Sequence, residues 1–169
     1  YTVLANYGLN KPLQSILGIR DSHGNILEKL EDLPGENILG PNGAQKAYQI
    51  IDILSDKLAR FTGFGENTVL ELNRPAAVKT GTTRNFKDNW TVGFTPNFLT
   101  LVWVGNADAA PMDNISGITG AAPIWHQFME TALENQPKLT FKKPDGLLEI
   151  AICKLSGLLP TPNCPETIN

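Results

Sequence analysis

Ala76 to Trp90 reads AAVKTGTTRNFKDNW, and its interpretation decides the fold. A short apolar run enters Lys79-Thr80-Gly81-Thr82-Thr83, and a polar stretch, Arg84–Asn89, follows. Trp90–Thr95 (WTVGFT) then restores β-formers, Pro96-Asn97 closes it, and Phe98–Val104 (FLTLVWV) is almost wholly apolar. Two short turns between three such runs predict an antiparallel meander: strands at 76–83, 90–95 and 98–104. The third run reads as a strand buried on both faces.

Outward from the meander, both flanks read as helical. Ala44 to Phe61 places Ala47, Ile50, Ile51, Leu54, Leu58 and Phe61 at close to a 3.6-residue period. Asn42 is a candidate N-cap and Gly63 a candidate stop. On the other side Pro123 suits the first turn of a helix running to about Asn135. Tyr1–Tyr7 reads as a helix end stopped by Gly8, and 13–20 with 26–30 as a hairpin around Asp21–Asn25. Residues 31–41 and 105–120 read as loops. The expected class is α+β, an antiparallel sheet covered by helices. Residues 1–136 form the main unit. Residues 137–169 form a Pro-rich extension with a strand-like run at 147–153, as a small appendage; six of the twelve prolines lie beyond residue 120.

Composition excludes several classes. The 169 residues carry a net charge of −3 and no Lys/Arg run, so nothing points to nucleic acid. No apolar stretch approaches the roughly 18 residues of a membrane span, and no signal peptide is visible. The chain opens YTVLANYG, which reads as the interior of a longer polypeptide. His23 and His126 lie far apart, without ligand spacing to each other or to the cysteines, so neither a metal nor a cofactor is expected. Cys153 and Cys164 leave two readings open: reduced thiols, or one disulfide closing SGLLPTPN in an oxidising compartment.

The K-T-G-T stretch is not a phosphate loop, because Lys79 precedes Gly81 and the setting is a strand rather than a helix start. Lys-Thr-Gly alone should occur in roughly one chain in twenty of this length, so its place on a strand matters more than its letters. A glycine on a strand edge lets another backbone approach. A peptide could add there by main-chain hydrogen bonds. Thr80 and Thr82 offer hydroxyls to a carboxylate, Lys79 a cation able to move a proton if burial lowers its pKa, and the N–H of residue 82 a donor to an oxyanion. The plain alternative is a strand with Thr for propensity and Lys in solvent. Trp90, Trp103 and Trp125 read as core or helix-packing residues, and His126 as a surface or packed one. Glu66 and Glu71 read as solvated, and Lys87 and Asp88 as a solvated pair.

K-T-G is the third signature of serine β-lactamases and penicillin-binding proteins, beside S-x-x-K and a Ser-Asp-Asn element. PAAVKTGTTRNFKDNWTVGFTP, then LVWVGN and GAAPIWHQFM, resemble the transpeptidase domain of bifunctional, class A penicillin-binding proteins. YTVLANYG, DSHGNIL and KLSGLLPTPNCP resemble it too, so the likeness covers most of the chain. It implies a β-lactamase/transpeptidase-like fold, of which this is the C-terminal portion. It further implies a D,D-transpeptidase that cross-links peptidoglycan stem peptides through a serine acyl-enzyme, with β-lactams trapping the serine. On that resemblance Lys79 belongs to the catalytic network, and Thr80, Gly81 and Thr82 bind the stem peptide or β-lactam. The setting implied is extracytoplasmic, in a membrane-anchored parent whose N-terminal remainder completes the domain.

One departure is plain. Ser15, Ser22, Ser55, Ser116 and Ser156 are the only serines; none has Lys three residues on or Asn two residues on. The S-x-x-K nucleophile and S-x-N element are therefore absent from these 169 residues, and the chain by itself is expected to be inactive. A non-catalytic module that holds a peptide carboxylate and a serine β-lactamase fragment are the alternatives; an S-x-x-K upstream would decide for the enzyme.

Overall fold

The computed structural model describes residues 1–31 and 33–168, so Asp32, in the predicted 31–41 loop, and Asn169, in the predicted extension, lie outside the described residues. A four-residue helix, α1 (Thr2–Ala5), is followed by β1 (Leu9–Asn10), the hairpin β2 (Gly18–Arg20) and β3 (Ile26–Lys29), and β4 (Glu36–Asn37). Two helices come next, α2 (Gly43–Ser55) and α3 (Lys57–Phe64). The meander is β5 (Ala77–Thr82), β6 (Asp88–Thr95) and β7 (Phe98–Gly105), with a 3-10 turn at Arg84–Phe86 between the first two. Helix α4 (Ala121–Leu133) and two short strands, β8 (Ile152–Cys153) and β9 (Thr167–Ile168), complete the order.

The central sheet is antiparallel with order β5-β6-β7, and its register sets Gly81 opposite Trp90 and Thr80 opposite Thr91. Side chains alternate across it. Val78 faces α4 and joins Leu70, Leu72, Ala76, Ala122, Trp125, Met129 and Leu133 in one core. Ala77 and Phe94 face the other way, where they pack with Ile51 of α2 and with Leu4, Tyr7 and Phe141. Helices therefore cover both faces of an antiparallel sheet, the α+β class expected. Gly93 is what lets α4 seat: a Cβ there would come within 2.3 Å of Trp125 Cζ2. Trp125 is fully buried and donates its Nε1–H to the Gly93 carbonyl at 3.4 Å.

Arg74 is 6% exposed, and its guanidinium donates to the carbonyls of Leu133 (2.7 Å), Gln136 (3.2 Å) and Pro137 (3.3 Å). A buried cation thus gathers three carbonyls at and just beyond the end of α4 and ties the chain before β5 to it.

Several expectations change. The helix foreseen over 44–61 is two helices, because Asp56 adopts an extended backbone (φ −72°, ψ 109°) and caps α3 by accepting from the N–H groups of Leu58 (2.8 Å) and Ala59 (3.1 Å). Asn42 makes no side-chain cap and sits at φ 59°. The stop is Gly65 at φ 78° rather than Gly63, which lies inside α3. Of the predicted buried stripe only Ala47 and Ile51 are core, while Leu58 is 84% exposed. Strand β7 is not buried on both faces: it is a sheet edge, and Leu101 and Trp103 lie on the face of β6–β7 beyond the reach of α2, exposed. For the same reason Trp90 and Trp103 are not core; their rings lie 6.2 Å apart on that face. The first hairpin strand is shorter than expected, and the strand-like run at 147–153 reduces to Ile152–Cys153.

Candidate functional site

Strand β5 has one neighbour in its sheet among the described residues, so its outer edge presents alternate backbone N–H and C=O groups unpaired. Lys79, Thr80, Gly81 and Thr82 all lie on this strand. Beside them, between β5 and the α2–α3 junction, opens a cleft of about 280 Å³ lined by Leu54, Arg60, Phe64, Val78, Lys79 and Thr80.

Lys79 is exposed and donates its Nζ to the carbonyl of Thr80; no carboxylate lies within ion-pair distance of it among the described residues. The burial that the sequence reading required of Lys79 is therefore not supplied by these residues. Thr80 is half-buried, and its hydroxyl has no partner among the described residues. Thr82 is exposed; its Oγ1 accepts from the N–H of Gly117 at 3.0 Å, and its own hydrogen is uncommitted. Gly81 is free on its open side: a Cβ there would meet only Trp90 Cβ, at 3.7 Å. Nothing among the described residues forbids alanine there.

Thr83 and Asp88 close the hairpin that carries the motif. Asp88 N–H donates to Thr83 Oγ1 at 2.8 Å, Thr83 Oγ1 donates to the Asp88 carboxylate at 3.0 Å, and Trp103 Nε1–H reaches the same carboxylate at 3.0 Å. Asp88 is thus a structural anchor, not half of a solvated pair with Lys87. Burial lowers the pKa of Arg60, against a raising influence of Glu71 and Asp56, and its guanidinium donates to the Leu54 carbonyl at the end of α2. Glu71 is not simply solvated: it pairs with Lys57 at 3.2 Å and is 23% exposed. His126 is half-buried on α4, with Nδ1 enclosed and unpartnered among the described residues.

Two residues that sequence reasoning missed are Asn89 and Gly117. Asn89 is fully buried; its Nδ2–H donates to the Ile115 carbonyl at 2.9 Å and its Oδ1 accepts from Ala121 N–H at 3.0 Å. It fastens the loop after β7 beneath the motif. The signal available was only a polar residue immediately before the Trp90–Thr95 run. Cys153 and Cys164 form a disulfide with a Cα–Cα distance of 5.8 Å. Among the described residues no cluster of His, Cys, Asp or Glu could hold a metal, and no helix is long and apolar enough to cross a membrane.

The family described as penicillin-binding protein 1A, C-terminal domain, matches residues 143–169. Penicillin-binding protein 1A of Clostridium perfringens is 31% identical over 170 residues, covering 98% of this chain and 19% of the relative. That of Pseudomonas aeruginosa is 34% identical over 137 residues, 80% of this chain and 16% of the relative. In structure, the chain is similar to penicillin-binding protein 1A from Haemophilus influenzae, with a TM-score of 0.80 at 22% identity over 98% of this chain and 30% of that one. It is also similar to the penicillin-binding protein PonA1 from Mycobacterium tuberculosis, with a TM-score of 0.66 at 24% identity, over 100% of this chain and 44% of that one. Fold and sequence together define a penicillin-binding protein with the transpeptidase fold. More narrowly, the chain belongs to the penicillin-binding protein 1A family and corresponds to a C-terminal part of it. It spans about a fifth of the length of the curated relatives it matches.

Proposed function

We propose that these residues form one wall of the active site of a peptidoglycan D,D-transpeptidase, completed by a segment that carries the nucleophilic serine. The observation that carries this reading is the K-T-G-T strand at a sheet edge, with the hydroxyl hydrogens of Thr80 and Thr82 both uncommitted. A stem peptide ending in D-Ala-D-Ala lies along β5 by main-chain hydrogen bonds. Thr80 and Thr82 donate to its terminal carboxylate. Gly81 leaves room for its backbone, and the absence of any steric demand for glycine among the described residues supports that use. The serine oxygen adds to the penultimate carbonyl, whose oxyanion takes the N–H of residue 82. The C–N bond breaks, D-alanine leaves with a proton, and an amine of a neighbouring stem displaces the serine to form the cross-link. Lys79 belongs to the proton-handling and carboxylate-binding network. A β-lactam enters by the same contacts and stays as the acyl-enzyme. In this reading the site is extracytoplasmic and the parent membrane-anchored.

The test uses a polypeptide that joins this sequence to its S-x-x-K segment. Thr82→Val keeps shape and β propensity but removes the donor. A hydrogen bond to a charged group is worth about 1.5–3 kcal/mol, so acylation by a carboxylate-bearing β-lactam, as k2/K, should fall roughly ten- to hundredfold. Thermal stability should fall modestly, because Thr82→Val also removes the acceptor of the buried Gly117 N–H, so acylation is compared well below both melting temperatures. Acylation equal to the parent's would remove Thr82 from the carboxylate site. A polypeptide that binds the carboxylate but never acylates would favour the non-catalytic module.

A further inference from the structure

The loop 106–120 between β7 and α4 runs under the motif on the α4 side of the sheet, and Gly117 meets the motif directly. Gly117 N–H donates to Thr82 Oγ1 at 3.0 Å, and its carbonyl accepts from the fully buried Thr91 hydroxyl at 3.2 Å. No side chain fits at this point. A Cβ on Gly117 would lie 2.9 Å from the Trp90 carbonyl oxygen, 3.1 Å from that of Gly81 and 3.1 Å from Thr80 Cβ. Asn89 holds the loop from below through Ile115 and Ala121.

A threonine hydroxyl has one hydrogen and two lone pairs, and it rotates to suit its partners. The Gly117 N–H claims a lone pair of Thr82 and so turns the hydroxyl hydrogen away from the loop. A bond accepted by a hydroxyl also polarises it as a donor. We propose that Gly117 is a positioning residue that presets the Thr82 hydroxyl as a hydrogen-bond donor toward a ligand carboxylate. This rests on the reading of Thr82 given above and extends it: the donor direction is fixed before the ligand arrives, by a backbone group 35 residues away in sequence. Preorganisation of this kind spares the rotor entropy and reorientation that a free hydroxyl would lose on binding.

The experiment is a double-mutant cycle in the serine-bearing polypeptide, with Thr82→Val, Gly117→Ala and the pair. Each is assayed with a carboxylate-bearing β-lactam and with the methyl ester of the same compound. Gly117→Ala should lower k2/K for the carboxylate form roughly two- to tenfold, the range for one neutral hydrogen bond. The ester should lose less than the acid, and in the Thr82→Val background the second change should cost less than in the parent. Equal losses for acid and ester, or full additivity, would overturn the proposal while leaving the Thr82 reading intact. If Thr82→Val itself does not discriminate acid from ester, that reading fails instead, and the proposal with it. Should Gly117→Ala not fold, amide hydrogen exchange decides without it. The Gly117 amide should exchange faster in Thr82→Val and keep its protection in Thr82→Ser; unchanged exchange in Thr82→Val would overturn the proposal.

Discussion

Asp21 shows how much a single side chain settles. Its carboxylate accepts from the side-chain amide of Asn25 (2.8 Å) and from the N–H groups of Asn25 (2.8 Å) and His23 (2.9 Å), which fixes the tip of the β2–β3 hairpin. The Asn25 side-chain bond is the largest of the effects that hold its pKa below the ordinary carboxylate value. A depressed folded pKa means the contribution is complete above the unfolded value and is lost as pH falls through the folded one. The turn should therefore loosen only in acid, below the usual carboxylate range. Exchange of the His23 and Asn25 amides, followed against pH, should accelerate there, and in Asp21→Asn the acid step should vanish. A step that survives in Asp21→Asn would assign it to another group. This turn was legible as D-S-H-G-N, and so was the motif strand, because local residue types carry both. The Gly117–Thr82 contact was not: a close approach between segments leaves only a glycine in a loop of small residues.

Among the elements, the helical region divides where periodicity ran on. Apolar spacing continues from Ala47 to Phe61, but Ser55-Asp56-Lys57 holds a cap signal inside the run. Asp56 uses it, and Arg60 closes the end of α2 from the other side through the Leu54 carbonyl. Capping side chains compete with helix continuation, and here they win because two helix ends are satisfied at once. Asp56→Ala should cost about 1 kcal/mol, the usual value of an N-cap, and lower Tm by roughly 2–4 °C. Thermal denaturation by circular dichroism measures it. An unchanged Tm would mean that α3 is held by Lys57–Glu71 and packing alone. The sheet was more legible than the helices, because period-two alternation and two short turns admit few alternatives. How deeply β7 is covered was not legible, since the same apolar run serves a buried strand and an edge strand with one bare face.

At the scale of the molecule, the sheet with α2 and α4 contrasts with the last thirty residues. The stretch after α4 begins docked: Phe141 meets Phe94 edge-on with centroids 5.8 Å apart, Lys142 N–H donates to Tyr7 Oη at 2.9 Å, and Gln45 Nε2–H donates to the Asp145 carbonyl at 2.8 Å. Beyond residue 149 only Cys153 is buried among the described residues, while Leu155, Leu158 and Leu159 stand in solvent. Order there comes from the Cys153–Cys164 bridge, the two-residue pairing of β8 with β9, and an exposed Lys154–Glu166 ion pair at 2.9 Å. An exposed ion pair contributes little, and a two-stranded ribbon without a core is marginal in water. The bridge, across a sequence separation of 11, contributes about 2–3 kcal/mol in the chain-entropy model, enough to decide between order and disorder. Reduction by a dithiol, which takes over the disulfide and leaves two thiols, should therefore melt this segment and spare the body. Backbone amides that the bridged loop protects, those of Cys153, Lys154 and Gly157, should lose protection, while those of β6 keep theirs. Unchanged protection at Cys153, Lys154 and Gly157 would show that the short strands suffice without the bridge. Loss of protection in β6 at the same time would show that the terminal segment and the sheet unfold as one unit.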